Sequence, residues 1–242
     1  MSQTGTNSPL TVVLVHGAFA DSSSWAGVIE RLQAKGIKVI AASNPLRGLK
    51  SDSAYVAALI DEIAGPVLAV AHSYGGAVIS NAATGKSNVV GLVFVAAFAP
   101  DEGEVLLEVT GTSKDSVLGT ALVPHQYAIE GGTLTEFTID PAKARDAFAS
   151  DLTDTQANVV GTVQRPTADL AFTDPSGTPA WKSLSSWAVV ATSDRAAGTD
   201  LVRAHAERAG ADITEVDGSH VIMISQPQAV VDVIESAIAK VG

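Results

Sequence analysis

Val67-Leu68-Ala69-Val70-Ala71-His72-Ser73-Tyr74-Gly75-Gly76-Ala77-Val78 decides how the rest of the chain is read. An apolar, partly β-branched run stops at His72. Ser73, Tyr74 and two glycines follow, and then Ala77, Val78 and Ala82 recur at helical spacing. The pattern predicts a strand, a very tight turn and a helix, with Ser73 at the apex. A neutral serine hydroxyl is a poor nucleophile without a base beside it. A sharp turn lifts its Oγ above the sheet edge, where a base and a substrate can reach it, and the start of a helix aims free N–H groups at a developing oxyanion. Small residues at Ala71 and Gly75 let strand and helix backbones pass close together. The stretch matches G-x-S-x-G with alanine in the first place. A plain Ser-Tyr-Gly-Gly turn in any α/β protein would look the same, so the flanking sequence has to decide.

On the N-terminal side, Thr11–Val15 is a continuous apolar run, as expected of a strand buried on both faces. It ends in His16-Gly17-Ala18-Phe19. A helix is predicted over Ser22–Ala34, a strand over Ile37–Ala42, a loop at Asn44-Pro45-Leu46-Arg47-Gly48 and a helix over Ser53–Ala64. After the serine turn come a helix to about Thr84 and a strand over Val89–Ala97. This alternation implies a parallel sheet with helices on both faces, whose ligands bind beyond the carboxyl ends of the strands. His16–Phe19, Ser73 and Ala97–Pro100 all fall at such ends. Residues 101–178 break the alternation. They hold amphipathic pieces at Val105–Val109, Pro141–Phe148 and Ala157–Gln164, a short hairpin around Gly131-Gly132, and turn signals at Thr173–Gly177. They read as a cap inserted into a core made of residues 1–100 and 179–242. The alternation resumes with a strand at Trp187–Thr192, a helix at Asp200–Ala209, a strand at Asp212–Val216 and a final helix over Gln226–Lys240.

Composition narrows the function. The 242 residues are 46% hydrophobic, enough for a sizeable core, and the net charge of −11 argues against nucleic acid or an anionic membrane as partner. No cysteine is present, so disulfides, cysteine nucleophiles and thiolate metal sites are excluded. Met1–Pro9 has no basic segment leading into an apolar core, and it is read as a frayed tail rather than a signal peptide. With no apolar run near the roughly 20 residues of a membrane span, a cytoplasmic location is expected.

Serine chemistry at such a turn needs an acid, a base and oxyanion donors, with the acid and then the base following the serine in the chain. Of the five histidines, only His220 follows a late strand, in Asp217-Gly218-Ser219-His220, and it is the candidate base. His205 is read as mid-helix and solvent-facing, His125 as a cap residue able to touch substrate but better suited to a surface role, His16 as a support for the oxyanion loop, and His72 as a support for the serine turn. The acid is placed at Asp194, directly after the Trp187–Thr192 strand. Its rivals are Asp217, awkwardly close to His220, Asp200, read as a helix-start residue, and Asp101, read as a loop or helix cap. The oxyanion donors are the N–H groups of Tyr74 and Ala18, with Phe19 as the neighbouring alternative. Phe19 is also placed against the substrate.

These stretches resemble the α/β-hydrolase superfamily, and more narrowly small bacterial carboxylesterases related to plant methylesterases and hydroxynitrile lyases. The resemblance rests on His16-Gly17-Ala18 with Trp25, His72-Ser73-Tyr74-Gly75-Gly76, Val95–Asp101, Ala191–Arg195 and Asp217–His220. It implies an α/β-hydrolase fold with a mostly parallel, doubly wound sheet and an inserted cap. It also implies a serine carboxylesterase acting on a small-molecule ester with a hydrophobic moiety. Such chemistry needs no metal or cofactor, and a monomer or homodimer is expected. The alternatives are a hydroxynitrile-lyase-like C–C lyase and a ligand-binding protein with a vestigial triad. The lyases of that group carry threonine where this chain has Gly17 and lysine where it has Val221, so the esterase pattern fits better. Two departures stand out: Ala71 in place of glycine, and the loose Ala196-Ala197-Gly198 segment after Asp194.

Overall fold

The computed structural model describes residues 8–242; most of the expected N-terminal tail lies outside them. The chain runs β1 (Thr11–Val15), a 3-10 turn (Ser22–Trp25), α1 (Ala26–Ala34), β2 (Lys38–Ala42), α2 (Leu49–Asp61), β3 (Val67–His72), α3 (Tyr74–Ala82) and β4 (Val89–Val95). It then leaves the sheet for α4 (Leu106–Thr110), β5 (Leu122–Ile129), β6 (Gly132–Ile139), α5 (Pro141–Phe148), α6 (Asp154–Val163), β7 (Thr167–Ala168) and α7 (Leu170–Thr173). It returns through β8 (Ser186–Ala191), α8 (Thr199–Arg208), β9 (Asp212–Val216), α9 (Ile222–Ser225) and α10 (Pro227–Val241).

Among the described residues the central sheet has six strands in the order β2-β1-β3-β4-β8-β9, every neighbouring pair parallel. The inner strands β1 and β3 are buried at every position, because helices cover both faces. The edge strands β2 and β9 are mostly exposed or half-buried. Strand order reverses direction between β1 and β3, and the serine turn follows β3 at that switch point.

Several elements differ from expectation. The first turn of the Ser22 helix is 3-10, capped by the Asp21 carboxylate at Ser23 N–H (2.7 Å). Helix α2 begins four residues before Ser53, because the buried Asp52 accepts the Arg47 N–H at 3.0 Å and folds the loop onto the helix start. Strand β4 stops at Val95, since Ala96 turns out with φ 44°. The hairpin is long rather than short: β5 and β6 are eight residues each, in register from Leu122–Ile139 to Ile129–Gly132. With β7 they form a separate antiparallel sheet, and β5, which contains Pro124, lies on its edge.

Candidate active site

Ser73 sits between β3 and α3 with φ 53° and ψ −124°, a region a non-glycine residue occupies only when its surroundings impose it. Its N–H donates to Val95 O (3.3 Å), and its carbonyl accepts from Gly76 N–H (2.9 Å) and Phe98 N–H (3.2 Å). Close approach explains the glycines. A Cβ at Gly75 would lie 2.7 Å from Val15 O, and one at Gly76 would overlap Phe98 O. Gly17 does the same from the opposite side, where a Cβ would lie 2.7 Å from the Ser73 Cβ. The loop after β1 is therefore packed directly against the serine.

Asp194 and His220 meet because β8 and β9 are parallel neighbours whose following loops run side by side, joined by Thr192 N–H to Val216 O (3.0 Å) and Ser193 N–H to Gly218 O (3.0 Å). His220 Nδ1–H donates to Asp194 Oδ2 at 2.8 Å, and both side chains are almost fully buried. In the neutral ring that bond places the hydrogen on Nδ1 and the lone pair on Nε2. The Ala196-Ala197-Gly198 segment, a departure in the sequence, has a use here. Ala196 N–H and Ala197 N–H both donate to Asp194 Oδ1 at 2.9 Å, and Gly198 turns the chain with φ 92°. Thr199 Oγ accepts from Asp194 N–H (3.0 Å) and donates to Ala191 O (2.8 Å), tying the loop to its strand.

The rival carboxylates are engaged elsewhere. Asp217 accepts from Thr192 Oγ (3.3 Å). Asp200 accepts from Ser113 Oγ and Lys114 N–H, beyond its own helix. Asp101 pairs with Lys182 Nζ at 2.5 Å, which with the Glu102 N–H holds its carboxyl below the usual range.

His72 is buried beside the serine, and its Nε2–H donates to the His220 carbonyl at 2.9 Å. This docks the histidine loop onto the turn. Burial, together with the neighbouring His220 ring at 4.5 Å, pushes the His72 pKa well down, so it stays neutral. His16 Nδ1–H donates to Gly17 O (2.9 Å) and its carbonyl accepts from Asn44 (3.1 Å), both bonds stiffening the loop after β1; burial lowers its pKa as well. Neither Ser73 Oγ nor His220 Nε2 is hydrogen-bonded within the described residues, and unliganded sites of this kind often tighten only around substrate.

The loop after β1 offers two N–H groups. Phe19 N–H is already given to Thr167 Oγ at 3.1 Å, a residue of the inserted segment. Among the described residues, the N–H groups of Ala18 and Tyr74 have no protein partner. The Tyr74 phenol points the other way and donates to Asp52 Oδ2 at 2.7 Å. Burial raises the pKa of both, that of Tyr74 furthest.

Ser73, Tyr74, Ala18 and Phe19 line one side of a cavity of about 390 Å³. The inserted segment supplies most of the rest, including Leu118, Phe137, Phe148 and Phe172, and Phe98 closes the core side. Phe148 stands 5.0 Å from the His220 ring and 6.5 Å, edge-on, from Phe19. Sequence reading missed Thr167, Phe148, Phe172 and Phe137, because the periodicity of the insert shows which residues are apolar but not which core loop they meet. His125 is not brought to the site: it is exposed on β5 and bonded to Thr138 Oγ at 2.8 Å, away from the cavity lining. His205 faces inward, not toward solvent, and its Nδ1 accepts the Ala99 N–H at 3.1 Å. No cluster of three or more metal-ligating side chains occurs among the described residues.

The sequence model of the alpha/beta hydrolase family matches residues 12–233, and the chain belongs to that family. No curated protein matches its sequence. Its fold is shared with several solved structures at low identity. Polyneuridine aldehyde esterase is 19% identical, with a TM-score of 0.80 over 94% of this chain and 98% of the other. Tomato methylketone synthase I is 19% identical, with a TM-score of 0.79 over 97% and 99%. A pyrethroid hydrolase from Sphingobium faniae is 18% identical, with a TM-score of 0.78 over 96% and 98%.

Proposed function

We propose that this protein is a serine carboxylesterase for an ester with a hydrophobic moiety. The observation that carries the reading is the strained Ser73, docked through His72 to the buried His220–Asp194 pair and opening on an apolar cavity. In this reading Ser73 Oγ attacks the ester carbonyl while His220 Nε2 takes its proton. Asp194 orients the ring and stabilises the imidazolium. The free N–H groups of Ala18 and Tyr74 bind the oxyanion; Phe19 N–H, spent on Thr167, is the poorer candidate. His220 returns the proton to the leaving alcohol, and water, activated by the same nitrogen, then cleaves the acyl-enzyme to acid and free serine. No step calls on a metal or cofactor. The segment 101–178 acts as a cap that supplies the apolar walls, and the esterase and pyrethroid-hydrolase names among the structural neighbours accord with this.

Lyase chemistry of the hydroxynitrile type is disfavoured by the same packing. A threonine Cβ at Gly17 would collide with Ser73, and the position after His220 holds the buried Val221 in place of lysine. No helix of the described residues is long and apolar enough to cross a membrane. A cytoplasmic setting and a small-molecule ester as sole partner remain part of the proposal.

The test is pre-steady-state hydrolysis of p-nitrophenyl esters from acetate to octanoate. Wild type should release a burst of p-nitrophenol equal to the enzyme concentration, and Ser73→Ala should show none. Absence of turnover on every ester, or a burst that survives Ser73→Ala, would sink the reading.

A further inference from the structure

Asp151 has no part in the chemistry above, yet it reaches into the histidine loop. It lies in the turn between α5 and α6, within the inserted segment. Its Oδ2 accepts the Ser219 N–H at 2.9 Å, and its Oδ1 accepts the Ser219 hydroxyl. Ser219, the residue before His220, is 2% exposed. The fit extends to Gly218, where a Cβ would lie 2.7 Å from Asp151 Oδ2. Hydrogen bonds to a carboxylate are the strong kind, and a two-oxygen grip fixes direction as well as distance.

The turn that carries Asp151 is anchored in its own right. Phe148, Ala149 and Leu152 are buried around it, and Leu152 N–H donates to Ala149 O at 3.2 Å. The His220 loop is therefore held by several hydrogen bonds, among them Ser193 at the Gly218 carbonyl, His72 at the His220 carbonyl, Asp194 at Nδ1, and Asp151 at Ser219. Ser193, His72 and Asp194 belong to the core and Asp151 to the insert, whose Phe148 also packs 5.0 Å from the His220 ring. With Asp151 removed, a nearly buried N–H and hydroxyl lose their partner, and the loop can relax away from Ser73.

We propose that Asp151 is a positioning residue that sets His220 through Ser219, making the cap part of the catalytic apparatus and not only its roof. The proposal rests on the esterase reading, so its test carries a readout independent of turnover. The proteins are wild type, Asp151→Ala, Asp151→Asn, Ser219→Ala and the double variant Asp151→Ala/Ser219→Ala. Asp154→Asn, a solvated carboxylate three residues away, is the control.

Loss of aim alone costs an enzyme about tenfold to a hundredfold in rate, and kcat of Asp151→Ala should fall by that amount. KM should stay within about twofold, as expected when ground-state binding is untouched. Asp151→Asn, which keeps one acceptor oxygen, should fall between wild type and Asp151→Ala. The double variant should be no slower than Asp151→Ala, because Asp151→Ala already leaves the Ser219 hydroxyl without its partner. Proton NMR supplies the second readout. The low-field resonance of the proton between His220 Nδ1 and Asp194 should be sharp in wild type and in Asp154→Asn, and exchange-broadened in Asp151→Ala. Wild-type kcat together with a sharp resonance in Asp151→Ala would overturn the proposal. Independent, multiplying losses for Asp151→Ala and Ser219→Ala would also overturn it. If wild type turns over no ester, the esterase reading falls, and the NMR result alone decides whether Asp151 holds the histidine.

Discussion

The two sheets of this protein differ in what holds them. In the central parallel sheet, β1 and β3 bury every side chain, and their partners lie directly alongside in the ladder. In the antiparallel sheet of the insert, β5 and β6 are half-exposed, and Arg47 of the core ties that sheet down through Glu136 (2.7 Å) and the Pro166 carbonyl (2.6 Å). The first sheet is specified by its own hydrophobic run; the second is specified by what it docks on. The proposed chemistry divides along the same line. Strand ends of the parallel sheet position Ser73, Asp194 and His220, and the insert supplies most of the cavity walls and the Asp151 contact to the histidine loop.

If that division is right, damage to the core loops should abolish activity and damage to the cavity walls of the insert should retune it, with the Asp151 brace falling between the two. The largest effect is expected for Asp194→Asn. It removes the acceptor that fixes the His220 tautomer, and in serine triads this costs about 10⁴-fold in kcat. Single-turnover rates on the best p-nitrophenyl ester would measure it; a loss below tenfold would mean that Asp217 or another group replaces Asp194. By contrast, Phe137→Ala in β6 should leave the burst intact and move the chain-length optimum toward longer acyl groups, because it enlarges the cavity at a wall supplied by the insert. An unchanged optimum with lost activity would break the comparison.

Next in size is Gly76→Ala. A Cβ there meets the Phe98 carbonyl, which is backbone and cannot rotate aside. Overpacking of this kind costs about 1–3 kcal/mol or more, so thermal melting should show a large loss of stability. Wild-type stability in this variant would mean that α3 can slide off the loop after β4.

Much of this was legible in the sequence, for identifiable reasons. β1 and β9 were located to the residue, since a buried run and a bounded alternation are local signals. Ser73, Asp194 and His220 were placed by strand-end position, and the structure sets Asp194 against His220. The start of α2 was not legible, because it depends on a carboxylate, Asp52, buried by tertiary contacts that hydrophobic periodicity does not register. His205 was misread for the same reason: a polar residue in a helix looks solvent-facing until its partner, the Ala99 N–H, is known. For His125, location in the insert leaves both substrate contact and a surface role open, and the hairpin register decides for the surface.

His205 also gives a pH test on the core side. Burial, with a further contribution from Arg208, lowers its pKa from 6.5 to about 4. A histidine held neutral in the fold binds fewer protons than in the unfolded chain, so its stabilisation is full above about pH 6.5 and is lost as pH falls toward 4. The shift corresponds to about 3 kcal/mol. Melting temperature should therefore decline from pH 7 to pH 4, and less steeply in His205→Asn, whose carbonyl oxygen can still accept the Ala99 N–H. Parallel declines in the two proteins would assign the acid sensitivity elsewhere, with the buried His72 as the next group to test.

The smallest effect tests the seam between the two sheets. Tyr74 follows the nucleophile, and its phenol donates to Asp52, which accepts the Arg47 N–H; the Arg47 guanidinium in turn reaches Glu136 on β6. This chain runs from the serine turn to the insert through a buried carboxylate. Tyr74→Phe removes one donor and leaves Asp52 with the backbone N–H groups of Arg47 (3.0 Å) and Gly48 (3.5 Å). An under-satisfied buried acceptor costs about 1–3 kcal/mol, and the remaining donors place the expected loss at the lower end. The Tyr74 N–H proposed for the oxyanion is unchanged, so kcat should hold while stability drops. A kcat that falls with stability preserved would reverse this assignment. The phenol would then be acting on the turn geometry, and the seam would belong to the chemistry rather than to the docking of the insert.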